Sequence, residues 1–397
     1  MSYTAAPHHR SVAQALARAR RLVVRVQAGA LLVLMLLLVV VASPARGEVT
    51  ERSATTFATA PDTPLPQRLS ETGLLYGADG VPGRVVGADT LPFSPQYPLW
   101  SDGASKRRWI RLPPGTFIDA SDPDAWRFPV GTRLWKEFAH AGRPIETRFI
   151  ERLADGRWRF ATYVWNLQGT DALLAPERGV RALPAPGAPG GLYAVPSRAD
   201  CRACHEGGPS PVLGFGALQL SPERDPQVPH AETPPPGHTD LADLQARGLL
   251  RLLPATVAQT TPRIAAASAV ARSALGYLHA NCGHCHNHTG PLAAMDMALL
   301  QSVADAAGSA RRTWASVYGK TSRFRSDRGD RGDDAEAQRI APGRVDDSTL
   351  LQRMASPHVM SRMPPMGVSV VDVAGLQLIR QWILDHELSS PLKEHTP

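Results

Sequence analysis

Cysteine is scarce in this chain, with four residues in 397. Once two short repeats are counted, no thiol is left over for a disulfide framework of the kind that staples small exported domains. Acidic residues are absent before Glu48. No apolar run reaches the ~20 residues of a membrane-spanning helix; the longest, Ala28 to Ala42, stops at 15. No cysteine follows that run closely, which excludes a lipoprotein anchor. No stripe of Lys and Arg interleaved with aromatics occurs, so nucleic-acid binding has no support. The formal charge of +7 does not change this: Arg10, Arg18, Arg20, Arg21 and Arg25 carry five of those charges, and the chain after Ala45 is near +2.

The basic stretch and the apolar run behind it read as a targeting segment rather than as fold. Ser43-Pro44-Ala45 places small residues at −3 and −1 of a cleavage point after Ala45. The expectation is a signal peptide over residues 1–45, with a retained anchor and membrane contact as the alternative. The remaining ~350 residues exceed one ordinary domain.

What the chain does have is the pattern Cys-x-x-Cys-His, twice. Cys201-Arg202-Ala203-Cys204-His205 and Cys282-Gly283-His284-Cys285-His286 use all four cysteines. Each is the signature of a covalently attached c-type haem: two thiols add to the vinyl groups, and the adjacent His becomes the proximal iron ligand. A redox dithiol would sit in a βαβ unit, and nothing of that kind surrounds either copy. A four-thiolate zinc site requires no His after each pair, and 81 positions separate Cys201 from Cys282, more than a zinc ribbon spans. The expected cofactors are therefore two covalent haems c, held by Cys201, Cys204, His205, Cys282, Cys285 and His286. Export suits this chemistry, because covalent attachment occurs outside the bacterial inner membrane.

The fold class expected is α+β and multidomain. A β-rich domain is expected over 66–181, a first haem-binding region over 196–260 and a mostly α-helical cytochrome c-like domain over 261–397. Trp158, Phe160, Thr162 and Val164 alternate with Arg159, Ala161, Tyr163 and Trp165, the period of a strand. Ile145, Thr147 and Phe149 do the same, and Asp155-Gly156 between the two runs marks a hairpin. Lys106–Leu112 and Thr132–Phe138 are further strands. Six of the eight tryptophans fall between Trp100 and Trp165, which reads as an aromatic core rather than a ligand platform. Residues 182–197, rich in Pro and Gly, read as a linker without an element. A short helix is expected from Asp240 to Leu250, capped by Thr239. A second runs through Arg263–Ala280 into Cys282, capped by Thr261 with Pro262 first. A third covers Val371–His386, where Val373, Leu376, Ile379, Trp382 and Ile383 share a face. Arg323–Glu336, with its Arg328-Gly329-Asp330, reads as a charged surface insertion. Asn287-His288-Thr289 matches a glycosylation sequon but abuts a haem motif and carries no weight.

His205 and His286 are the proximal iron ligands. For the second haem, Met363 in Met363-Pro364-Pro365 is the distal ligand expected: a thioether favours ferrous iron, and the prolines stiffen the loop that aims it. Met360 and Met366 are its packing neighbours. The distal ligand of the first haem stays open. No methionine lies between Cys201 and Cys282; His230 and His238 are the imidazoles there, Met295 and Met297 lie just beyond, His279 and His288 flank the second motif, and an open iron is a further option.

These residues carry a resemblance. From Leu69 to the C-terminus the chain resembles an uncharacterised family of exported dihaem c-type cytochromes. The matching stretches are Leu69-Ser70-Glu71-Thr72-Gly73-Leu74, Pro98-Leu99-Trp100-Ser101-Asp102-Gly103-Ala104, the two haem motifs, Tyr277-Leu278-His279-Ala280-Asn281-Cys282 and Arg362-Met363-Pro364-Pro365. The Met-Pro-Pro loop and final helix are similar to those of many class I cytochromes c; the β-like front half is specific to the group. The insertion at Arg323–Glu336 departs from it. The resemblance implies a periplasmic protein that transfers single electrons between redox partners, on the side of a periplasmic dehydrogenase or oxidase. A dihaem peroxidase or oxidase with an open first haem is the alternative. In a third reading the β domain binds a partner through Trp100, Asp102 and Lys106.

Overall fold

The computed structural model describes residues 59–76, 85–324 and 336–389. The alternating segments pair as strands. β1 (Leu91–Pro92), β2 (Ser105–Arg111), β3 (Arg133–His140), β4 (Arg143–Arg152), β5 (Trp158–Trp165) and β6 (Ala172–Leu174) form one antiparallel sheet in sequence order. The β4–β5 hairpin turns where Asp155-Gly156 predicted: Gly156 has φ 82°, and the Asp155 carboxylate accepts from the Arg157 amide at 3.0 Å. That positive φ is why glycine stands there.

Register sorts the side chains of β2 to β5 into two faces. Trp109, Trp135, Phe149 and Ala161 are direct cross-strand partners and, with Tyr163, close one apolar core. This is the aromatic core the tryptophans predicted. The opposite face carries the row Ile110, Leu134, Ile150 and Phe160, and beside it the row Arg108, Lys136, Arg148 and Thr162.

The sheet is followed by a hairpin that the sequence reading missed. Val180–Pro184 pairs antiparallel with Leu192–Val195, inside the stretch expected to be a bare linker. The Pro and Gly residues belong to its connection, where Gly187, Gly190 and Gly191 all have positive φ. Helices come next: α1 (Arg198–His205), α2 (Leu241–Ala246), α3 (Ala269–Asn281), α4 (Ala306–Val317), α5 (Thr349–Met354) and α6 (Val373–Ser389). Long stretches without regular structure separate them. The architecture is thus mixed α and β, with an antiparallel sheet ahead of the helices.

Two helix starts differ from expectation. α3 begins at Ala269, not after Thr261, because the Ser268 hydroxyl accepts from the Ala271 amide at 3.1 Å and caps it. α2 is capped by Asp240 rather than Thr239, through the Asp243 amide at 2.9 Å, and stops before Gly248 with φ 66°. α6 begins near its predicted place; Asp372 accepts from the Gly375 amide at 2.9 Å.

α3 and α6 pack on one another through Leu275, Leu278, Ile379 and Ile383. A further cluster joins Ile110, Phe128 and Leu134 to Phe215, Leu220 and Leu244. Sheet and helical residues thus share a core, and the described residues lie in one compact unit that begins at Ala54. The segment read as signal peptide or anchor lies outside the described residues, as does the interior of the charged insertion. Among the described residues no helix is long and apolar enough to cross a membrane.

Candidate cofactor cavity

The first Cys-x-x-Cys-His pattern lies on a helix, and the second on the turns that follow one. Cys201, Cys204 and His205 all fall on α1, whose start is locked by a reciprocal cap between Ser197 and Asp200 (3.1 Å and 2.9 Å). Positions i, i+3 and i+4 of a helix share a face, so the spacing itself aims two thiols and an imidazole in one direction. The second pattern continues off α3. The Cys282 amide still donates to the Leu278 carbonyl at 2.9 Å, and the His286 amide to the Cys282 carbonyl at 2.9 Å.

Both patterns open onto one cavity of about 730 Å³, within the ~300–1,000 Å³ of cofactor and ligand sites. All four cysteines, His205, His286 and Met363 line it. The sheet contributes Arg108, Leu134, Lys136, Arg148 and Ile150 as a wall, and α1 stands over that wall, with the His205 ring 5.2 Å from the Phe160 ring.

The two patterns also touch each other. A Cβ on Gly207 would lie 2.5 Å from the His284 carbonyl oxygen, and one on Gly290 would lie 2.2 Å from the Gly207 oxygen. Only glycine permits this approach. Asn287 bolts the junction. Its amide donates to Gly207 (2.8 Å), Gly283 (2.9 Å) and His284 (3.3 Å), and its carbonyl accepts from the Thr289 amide (2.9 Å) and hydroxyl (2.9 Å) and the Gly290 amide (2.8 Å). Asn287 is 4% exposed, so the sequon is an internal clamp and presents no acceptor to a glycosylating enzyme.

Protonation states suit a haem. Burial pushes the His205 and His286 imidazoles down to about 4, so at neutral pH both are in the form that binds a metal. His205 Nδ1 donates to the Pro211 carbonyl at 2.6 Å, which fixes the tautomer and leaves Nε2 with its lone pair. His286 Nδ1 is buried and has no hydrogen-bond partner among the described residues. Burial pushes the Cys201 thiol up to about 11 and Cys282 up to about 12. Cys204 rises to about 12 because it meets Cys285, and then through burial, and the same contact lowers Cys285. All four cysteines are unpaired. Among the described residues no three His, Cys, Asp or Glu side chains converge as a metal site. The residues present fit covalent haem: paired thiols on a helical face, a neutral His beside each pair, and one shared cavity.

The Met363 loop is held from two sides. The Met363 amide donates to the Arg353 carbonyl at 3.0 Å, and Arg353 Nε donates to the Ser361 carbonyl at 2.9 Å. Beyond the prolines, the Asp102 carboxylate accepts from the Ser369 amide (2.8 Å), the Ser369 hydroxyl (2.5 Å) and the Val370 amide (3.0 Å). Trp100 Nε1 donates to the Val370 carbonyl at 3.1 Å, and the Trp100 amide to the Asn281 side chain at 2.7 Å, one residue before Cys282. Lys106 Nζ donates to the Leu99 carbonyl at 2.7 Å, its side chain 4% exposed. Trp100, Asp102 and Lys106 thus all make contacts within the chain; the sequence could not show Asp102 meeting a backbone 267 positions away.

Of the imidazoles considered for the first haem, two are elsewhere. His230 Nε2 pairs with Asp372 at 2.7 Å while its ring lies tilted against Trp100, and His238 Nδ1 accepts from the Ser94 amide at 3.2 Å. Neither lines the cavity. His279 lines it, but its Nδ1 accepts from the Gln301 amide at 3.0 Å, which leaves the proton on Nε2 and no lone pair for iron. His288, Met295 and Met297 line the cavity, as does Met366, while Met360 is 77% exposed and outside it. Sequence reasoning missed Asn287 and the cationic row of the sheet.

The chain matches no protein-family model, no curated protein and no solved structure.

Proposed function

We propose that this protein is an exported dihaem c-type cytochrome that passes single electrons between periplasmic redox proteins. The observation that carries this reading is the convergence of Cys201, Cys204, His205, Cys282, Cys285, His286 and Met363 on one cavity. Haem iron, when bound, supplies reversible one-electron chemistry with little change in geometry. The chain's own residues do the rest. His205 and His286 are kept neutral by burial, α1 and α3 orient the thiols, and the Asp102–Ser369 contact supports the loop that presents Met363. Met363 would supply a thioether to the second haem, which would raise its potential. Both cysteine patterns line one cavity, so two haems held there would be neighbours and could exchange electrons. The α3–α6 pair with the Met363 loop is the part that resembles a class I cytochrome c. The partners are a periplasmic dehydrogenase or oxidase, and the N-terminal basic and apolar segment directs export or tethers the chain to the inner membrane.

The engagement of His230, His238 and His279 elsewhere favours a second reading, in which the first iron keeps an open face and acts as a peroxidase or oxidase centre. Carbon monoxide added to the dithionite-reduced protein separates the two. An unchanged spectrum supports the electron carrier. Conversion of about half the haem moves the second reading ahead. Cys201→Ala/Cys204→Ala and Cys282→Ala/Cys285→Ala should each remove the thioether attachment of one haem; if neither variant changes haem attachment, both readings fall.

A further inference from the structure

The sheet wall of the cavity carries a charge pattern that the protein does not balance. Arg108 pairs with Lys136, and Lys136 with Arg148, as direct cross-strand neighbours on one face. Like charges directly opposite one another destabilise a sheet, and here three lie in a row against a largely apolar space. Lys106, two residues before Arg108 on the same face of β2, adds a fourth cation.

Among the described residues two carboxylates answer them. Glu232 takes Arg108 in a two-pronged contact at 2.5 and 3.0 Å and Lys106 at 3.6 Å. Glu146 takes Arg148 at 2.6 Å and accepts from the Tyr193 hydroxyl at 2.8 Å. Lys136, in the middle of the row, has no hydrogen bond and no ion pair among the described residues; its ammonium sits 4.8 Å from the centre of the Phe138 ring. Asp200 also lines the cavity, but both its carboxylate contacts go to Ser197. Four basic side chains against two carboxylates leave the wall two short; burial, and then the neighbouring Arg108, Lys106 and Arg148, hold the Lys136 ammonium well below its ordinary range, because a buried charge without a partner is costly.

We propose that the row Arg108–Lys136–Arg148 is a carboxylate-binding wall that takes the two propionates of the haem attached at Cys201 and Cys204. The inference rests on the dihaem reading. The match is one of charge and place: a haem carries two carboxylates on one edge, the wall lacks two negative charges, and His205 stands over that wall. Lys136 acts as a positioning residue and electrostatic partner, with no bond to iron. A cation beside the propionates disfavours the extra positive charge of ferric iron and holds the potential of that haem up.

The test is Lys136→Met in the full-length protein, read by spectroelectrochemical titration of both haems. The expected result is two covalent haems, an unchanged absorption spectrum and a downward shift of one midpoint potential, with Lys136→Arg restoring it. Lys136→Gln replaces Lys136→Met should the latter not accumulate. Thermal unfolding gives a second readout of opposite sign. Lys136→Met should destabilise the haem-loaded protein but stabilise the Cys201→Ala/Cys204→Ala protein, where the unbalanced charge is not met. Unchanged potentials would overturn the proposal, and so would a switch to high-spin, carbon-monoxide-binding iron, which would make Lys136 an iron ligand. Peptide mapping of the wild-type protein separates this failure from that of the parent reading. Absence of haem on the Cys201–Cys204 peptide would remove the dihaem reading itself.

Discussion

The Asn287 side-chain amide donates to the Gly207 carbonyl at 2.8 Å and so ties the second cysteine pattern to the first. The two patterns are 81 positions apart in sequence, yet this single side chain satisfies backbone groups from both. It makes the pair one structural unit beside the cavity that both line.

Asn287→Ala should therefore cost more than an average buried polar truncation. It strands three carbonyls and two backbone amides in a buried place, and leaving such groups unmade costs ~1–3 kcal/mol each before relaxation. A loss of about 3 kcal/mol is expected in chemical denaturation. Covalent haem at both sites should persist while the exchange of electrons between them slows, measured by reduction kinetics.

Asp102→Asn keeps the shape and the positive backbone angle of Asp102 (φ 51°) while removing the charge. The two amides and one hydroxyl it holds at Ser369 and Val370 lose charge-assisted partners, worth ~1.5–3 kcal/mol. The Met363 loop should loosen. The near-infrared band of thioether-bound ferric haem should weaken and the alkaline loss of that band should move to lower pH, with the first haem unaffected. An unchanged band would assign Asp102 to fold support only.

Met363→Ala should open the second haem. Its midpoint potential should fall by on the order of 0.1 V, because an axial thioether is what holds it up, and carbon monoxide should then bind the reduced protein at that haem. Met366→Ala should leave both properties near the wild-type values. Redox titration of the two variants checks this.

Glu232 sets a pH limit on the wall. Burial alone would raise its carboxyl, but Arg108, Lys106 and Lys136 outweigh that and bring it down from 4.5 to about 2. Its folded value lies below its unfolded one, so its stabilisation is fully present above about pH 4.5 and is lost as pH falls towards 2. A shift of that size corresponds to about 3 kcal/mol. Wild-type protein should lose about that much more stability than Glu232→Gln between pH 7 and pH 2, as followed by denaturant titrations at stepped pH.

Much of this was legible in the chain, for physical reasons. The strands from Arg133 to Trp165 declare themselves because their apolar and charged residues alternate with a plain period of two. The Cys-x-x-Cys-His spacing states its own geometry, since three positions on one helical face need no tertiary context. What escaped was decided by distant partners or by competing local signals. Thr261-Pro262 looked like a helix start, but Ser268 offers the cap that the backbone uses. Pro184, Gly187 and Gly190 looked like a linker, although Val180 and Val195 on either side pair across them. Asp102 finding Ser369, and Arg108, Lys136 and Arg148 standing in one row, depend on fold and register, which no local pattern encodes.

The most direct test of the central claim is the intact mass of the exported protein after denaturing chromatography, with the haem absorbance followed in the same run. Thioether bonds survive denaturation and acidic organic solvent. The account predicts a single species carrying the mass of two haems, with haem absorbance co-eluting. A haem-free polypeptide, or haem that separates from the chain in that solvent, would contradict it.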